Sequence, residues 1–226
     1  MKPPSIFNLF KKILDINSSK SKHIKKLISS GVKIVDINSV YIEDSVEILP
    51  GSVILPSTFL LGDTKIESDS VIGPNTTISN SKIGKGSKVL YSIITDSNIG
   101  NNNQIGPFTY VRESTFTDSN VQLGNFVEVK TSNIGKESKS KHLAYIGDVK
   151  LENNVNIGAG TVVANFDGKI KHETSIKENV FIGSNSTIIS PVIINSNSVV
   201  GAGSVVTKNV LSKETVVGNP ARKLRK

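Results

Sequence analysis

Glu128 and Lys130 stand two residues apart in the stretch GNFVEVK (124–130). On a β-strand both side chains therefore point to one face. A little further on, KHLAYIGD (141–148) puts His142 and Tyr145 in a polar run rather than in an aliphatic slot. An imidazole with an ordinary pKa of about 6.5 is well placed to take a proton near neutrality. A lone histidine in a loop is also commonly structural, and spacing alone does not separate the two. A third grouping is made of backbone. IGAG (157–160), IGSN (182–185) and VGAG (200–203) occupy equivalent corners, with Ser184 and Ala202 eighteen residues apart and Ala159 as their counterpart. Stacked small residues leave a shallow channel with backbone N–H and C=O groups within reach, a shape that suits a thin amide-bearing ligand such as a pantetheine arm. Tight corners that simply need small residues would give the same pattern. A zinc hydratase of the carbonic anhydrase type needs three histidine ligands. His23, His142 and His172 offer no closely spaced pair, and there is no cysteine.

Such groups need a rigid repeat to hold them. Every sixth residue from Ile42 to Ile78 is a large aliphatic (Ile42, Ile48, Ile54, Leu60, Ile66, Ile72, Ile78), and the beat returns from Ile176 to Val206. A period of six belongs neither to an amphipathic helix nor to an ordinary strand. It marks a hexapeptide parallel β-helix, an all-β solenoid of short rungs and tight turns. Three hexads per coil predict about nine left-handed coils over residues 42–210, the hand being that of the repeat type. Gly, Asn, Asp and Ser crowd the turn positions, as at Gly73, Gly84 and Gly100. Between Ile78 and Val111 the aliphatic steps shorten to five in places, so some corners lose a residue. Val163 to Ile176 is thirteen residues, six plus seven, which predicts a seven-residue loop near 165–171. Loops that leave a strict solenoid are where binding residues concentrate. Ser140 falls where an interior aliphatic belongs.

The ends differ from the middle. Residues 1–33 carry a net charge of +7 and residues 222–226 a charge of +4, which leaves −3 for the rest of the +8 total. Charge confined to the ends, with only 5% aromatics and no Trp, argues against a nucleic-acid face. Ile6, Leu9, Phe10, Ile13 and Leu14 have helical spacing, and a second patch (Ile24, Leu27, Ile28) ends at Gly31, a C-cap residue. The expected organisation is a basic helical arm (1–31), a β-helix (32–210) and a basic tail (211–226). Lys11 and Lys12 interrupt the first apolar stretch, so it makes a poor signal peptide. No apolar run approaches a membrane span. With zero cysteines, a cytoplasmic protein is expected.

GPFTYVR (106–112), GNFVEVK (124–130), KHLAYIGD (141–148), NVNIGAGT (154–161) and NFDGKIK (165–171) are long, ordered strings. Over about residues 32–210 the chain resembles the acetyltransferase half of the bifunctional enzyme that makes UDP-N-acetylglucosamine, without its uridylyltransferase half. The resemblance implies acetyl transfer from acetyl-CoA to glucosamine 1-phosphate, with no metal required. It implies His142 as general base, and Arg112, Lys130 and Lys171 as ligands of the sugar phosphate. Tyr145 and Asn156 would hold the sugar and its amine, with Glu128 orienting the amine or the base. Ala159, Asn165, Phe166, Ser184 and Ala202 would line the acetyl-CoA site, and a backbone N–H in the Gly158–Ala159 corner would serve the oxyanion. Homotrimers with active sites between subunits are implied too. Phe166 stands where the family commonly has Tyr. The ending VVGNPAR (216–222) resembles that of other hexapeptide sugar and serine acetyltransferases, which would bring Arg222 toward a CoA phosphate. Two other readings stay open: acylation of a different amino-sugar phosphate or nucleotide-linked amino sugar, and a non-catalytic scaffold whose basic arm recruits a separate uridylyltransferase.

Overall fold

The computed structural model describes residues 20–224. Strands of two to four residues stack in three parallel sheets, forming a three-sided coil of ten turns among those residues. Such a coil is the parallel β-helix that the hexads specify, and the repeat fits the left-handed form. The first face includes Gln122–Asn125 and Lys139–His142, the second Glu128–Lys130 and Tyr145–Gly147, and the third Asn133–Ile134 and Val149–Leu151. Most turns advance by 16 to 18 residues, as in Lys88↔Gln104 and Val53↔Val71. Short turns occur between Ile78 and Val111, where corners were expected to lose a residue, but turns of 17 residues also continue beyond it, as in Phe116↔Asn133 and Lys139↔Asn156.

Nearly every rung sends one large aliphatic inward; Thr117 fills such a slot between Ile99 and Ile134, its hydroxyl accepting from Asn103. Ile54, Leu60, Ile66, Ile72 and Ile78 are wholly buried, and the column continues through Ile188, Ile194 and Val200. Buried hydroxyls at the corners tie one coil to the next, as where Ser52 Oγ donates to Glu67 O at 3.0 Å. Ser140 breaks the pattern. Its Oγ is buried between the Leu123 and Ile157 slots and has no hydrogen-bond partner. An unsatisfied buried hydroxyl costs about 1–3 kcal/mol. Ser140→Ala should therefore raise stability by about 1 kcal/mol, measured as a higher denaturation midpoint at unchanged slope.

Both ends of the prism are covered. The helix Lys20–Ser29 buries Ile24 and Leu27 against the first coil. It stops at Gly31, whose φ of 97° suits glycine and whose N–H donates to Ile28 O at 3.1 Å. The Ile6–Leu14 patch lies outside the described residues. At the far end the expected tail begins as a further rung. Thr215–Val217 stacks on Val199–Val200, and the chain then reverses so that Arg222–Lys223 pairs antiparallel with it. Among the described residues no helix is long and apolar enough to cross a membrane.

Candidate functional site

Cations collect at the edge where the second face meets the third. Arg112 and Lys130 are register partners on adjacent rungs, and Lys171 is brought against Lys130 from the later loop. The three expected phosphate ligands thus converge. They are not alone. Arg112 donates from Nε and Nη2 to Glu128 Oε1 at 2.9 and 2.7 Å, and from Nη1 to Glu113 Oε1. Lys130 Nζ lies 3.1 Å from Glu113 Oε2. Partial burial works against charge on Arg112, but the bonds from Glu128 and Glu113 outweigh it and raise the pKa. Burial likewise opposes charge on Glu113, yet Lys130 and Arg112 hold its carboxyl below the ordinary range. Contact with Lys171 and pairing with Glu113 keep Lys130 charged. Lys171 is pushed down, chiefly by the ammonium it faces.

Beside this cluster, Tyr110, Glu128, Tyr145 and Val162 form an outward ladder on the second face. Gly147 makes room there. A Cβ on it would lie 2.6 Å from the Tyr145 hydroxyl and 2.7 Å from Asn165 Nδ2. Asn165 donates through that nitrogen to Asp148 Oδ2 and is almost fully buried.

The expected loop is a small hairpin. Asn156↔Phe181 spans 25 residues, one coil of 18 plus seven. Phe166 bridges antiparallel to Lys171, and the His172 N–H donates to Asn165 O at 2.8 Å. Asp167 caps the turn, accepting from the backbone N–H of Lys169 and Ile170 at 2.7 and 2.8 Å. Its other oxygen lies 2.7 Å from His172 Nε2. The His172 contact, followed by the Ile170 and Lys169 amides, lowers the Asp167 pKa to about 2. The hairpin carries Lys171 back to the cation cluster and leaves Phe166 and Ile170 exposed.

At the opposite edge, where the first face meets the second, one corner position recurs on successive turns. The strand pairing Gln122↔Lys139 runs on to Asn125↔His142. Continuing the same register places Ala159 over His142, Ser184 over Ala159 and Ala202 over Ser184. His142 is exposed and borders a cavity of about 190 Å³ lined also by Gln104, Gln122, Gly124 and Lys141. The glycines beneath the channel are required by packing. A Cβ on Gly183 would lie 2.4 Å from Ala202 N, and one on Gly158 would lie 2.5 Å from Ser184 N. The Gly158 N–H donates to Ile182 O at 2.8 Å, so this half of the proposed oxyanion corner is already engaged in the coil.

Within one chain, then, His142, Ala159, Ser184 and Ala202 share a corner. Asn165 and Phe166 do not join them, because they sit on the hairpin across the second face. Asn156 lies on the first face, between Lys139 and Phe181, and does not meet Tyr145. Among the described residues no three His, Cys, Asp or Glu side chains gather as a metal site. Arg222 is exposed and donates to Ala221 O at 2.9 Å.

The residue after each member of that corner column has positive φ. Gly160 and Gly203 fill the position in later turns, but Tyr91, Phe108, Phe126 and Leu143 fill it in four successive earlier ones, at φ of 48°, 60°, 58° and 49°. Bulky residues rarely adopt that region. They are 40%, 54%, 60% and 63% exposed, and the Phe108 and Phe126 rings stack at 5.4 Å. The result is an apolar ridge running along the coil and ending beside His142. Neither this ridge nor Glu113 was identified from sequence.

Comparison with known proteins bears on the whole coil. The bifunctional protein GlmU of Carboxydothermus hydrogenoformans is 43% identical over 191 residues, 84% of this chain and 43% of that protein. GlmU of Thermosipho melanesiensis is 48% identical over 203 residues, 90% of this chain and 44% of that protein. This chain is a relative of the acetyltransferase half of GlmU. It spans less than half the length of the GlmU proteins it matches. The family description "Bacterial transferase hexapeptide (six repeats)" matches residues 173–208, one of the two stretches where the six-residue beat is unbroken. Among solved structures, a UDP-N-acetylglucosamine acyltransferase from Campylobacter jejuni superposes with a TM-score of 0.56 at 16% identity, covering 85% of this chain and 74% of that one. One from Bacteroides fragilis gives 0.54 at 17% identity, covering 82% and 72%. At such identities the two structures speak for the coil architecture alone.

Proposed function

We propose that the chain transfers the acetyl group of acetyl-CoA to the amine of glucosamine 1-phosphate, giving N-acetylglucosamine 1-phosphate and free thiol. One observation carries the reading. The second face has a cluster of three cations along one edge and His142 on the other, with a column of small residues rising directly from His142. A three-residue strand spans about 10 Å, the scale of a sugar phosphate laid across the face.

In this arrangement Arg112, Lys130 and Lys171 hold the phosphate, and Arg112 offers a planar fork suited to it. Tyr145 and Glu128 contact the sugar between the edges. His142 takes a proton from the amine as its nitrogen attacks the thioester carbonyl. The carbonyl oxygen gains negative charge, which the Ala159 N–H, beside the already engaged Gly158 N–H, would stabilise. Collapse expels the thiolate, which takes up a proton. Ala159, Ser184 and Ala202 give a thin thioester arm a smooth backbone edge. The direct test is thiol release from acetyl-CoA with glucosamine 1-phosphate as acceptor, alongside a panel of other amino-sugar phosphates. No turnover with any amine would favour the scaffold reading. A cysteine-free coil suits a reducing, cytoplasmic setting, and a uridylyltransferase would consume the product.

The functional unit is a homotrimer in this reading. Two features support it: the ridge is an apolar surface in want of a cover, and Asn165 with Phe166 lie apart from the corner column of their own chain. A second copy seated on the ridge would bring its own residues to the His142 edge. Phe126→Asp should therefore convert trimer to monomer in light scattering and remove most activity, while the coil stays folded. An unchanged trimer would take the ridge out of the interface.

A further inference from the structure

The anion seat already holds a carboxylate of the chain itself. Glu113 Oε1 accepts from Arg112 Nη1, and its Oε2 lies 3.1 Å from Lys130 Nζ. A local departure from the repeat puts it there. From the second face to the third, the turn below takes three residues (Thr95 to Asn98) and the turn above also takes three (Lys130 to Asn133). This turn takes four, Arg112 to Phe116. The extra residue makes Glu113 and Ser114 consecutive left-handed residues, at φ of 51° and 58°. Glu113 thereby rests over the two cations instead of continuing the corner. Its side chain remains 35% exposed, so it has solvent to move into.

The neighbouring charges make this matter. Arg112, Lys130 and Lys171 are faced by Glu113, Glu128 and Asp148, so the cluster is close to neutral with Glu113 in place. A phosphate dianion reaching the seat meets a like charge, and it binds both cations only once that carboxylate has left.

We propose that Glu113 is a specificity-determining residue, a built-in competitor that the substrate's phosphate displaces from Arg112 and Lys130. Resting on the function given above, this reading makes the seat demanding. Two ion pairs are surrendered on binding, so a ligand with a full dianion displaces Glu113 and a weaker anion does not.

The test is Glu113→Gln, which keeps shape and removes charge. With two partly exposed ion pairs no longer to be broken, KM for glucosamine 1-phosphate should fall by about three- to tenfold, with the effect in KM rather than kcat. Inorganic phosphate, titrated calorimetrically into the full chain, should bind more tightly by a similar factor. An unchanged or raised KM together with unchanged or weaker phosphate binding overturns the proposal, and a raised KM would make Glu113 a support for the cations. If neither protein acetylates glucosamine 1-phosphate but phosphate binding still tightens in the variant, the sugar assignment fails and the role of Glu113 stands.

Discussion

His142→Ala is expected to lower kcat by at least about 10²-fold, the usual contribution of a positioned general base. The side chain is exposed at a corner, so little packing is lost with it. Its backbone is held independently by the pairing Asn125↔His142 and by Gly160 N–H donating to His142 O at 3.4 Å. Stability should accordingly change by less than about 0.5 kcal/mol, as for other surface positions. Steady-state thiol release and denaturant melts on the same preparations check the two halves. Near wild-type turnover in a folded variant would remove the imidazole from the chemistry.

Lys171→Ala should act on affinity. A hydrogen bond to a charged group is worth about 1.5–3 kcal/mol, which corresponds to about a 10- to 100-fold rise in KM for the sugar phosphate. The observed rise should lie toward the lower end, because removing Lys171 also relieves its repulsion of Lys130. The pH profile adds a signature. Lys171 is charged below its pKa, and the facing ammonium lowers that pKa. Phosphate affinity should therefore fall as pH rises, beginning at a lower pH than an ordinary lysine would give. The Ala variant should lose that early decline. An unchanged KM would exclude Lys171 from the seat.

Much of this was legible because a solenoid turns spacing into position. The hexads specify the faces, and the excess of seven between Val163 and Ile176 appears as the hairpin at 165–171. Ala159, Ser184 and Ala202 could be aligned from an eighteen-residue step. His142 belongs to the same column but sits seventeen residues before Ala159, in a turn one residue short, so its place there emerged only from strand pairing. Glu113 stayed hidden for a related reason: one added corner residue does not disturb the aliphatic beat enough to be noticed. The ridge was missed because Tyr91, Phe108, Phe126 and Leu143 are poor candidates for left-handed backbone. Asn165 and Phe166 were grouped with the corner by resemblance, whereas the chain path puts them across the second face. What spacing does not carry is which edge of a face a loop returns to.

Because each rung touches only the rungs directly above and below it, the ten-turn stack divides into unlike halves. The proposed site is confined to the turns between Tyr91 and Ala202, where most of its side chains are placed by a neighbour one storey away and Lys171 by the hairpin. The turns between the helix Lys20–Ser29 and Tyr91 contribute height and a floor. Removing a whole storey from that lower part would leave the register above it intact, whereas removing one from the upper part would break the alignment of the proposed site.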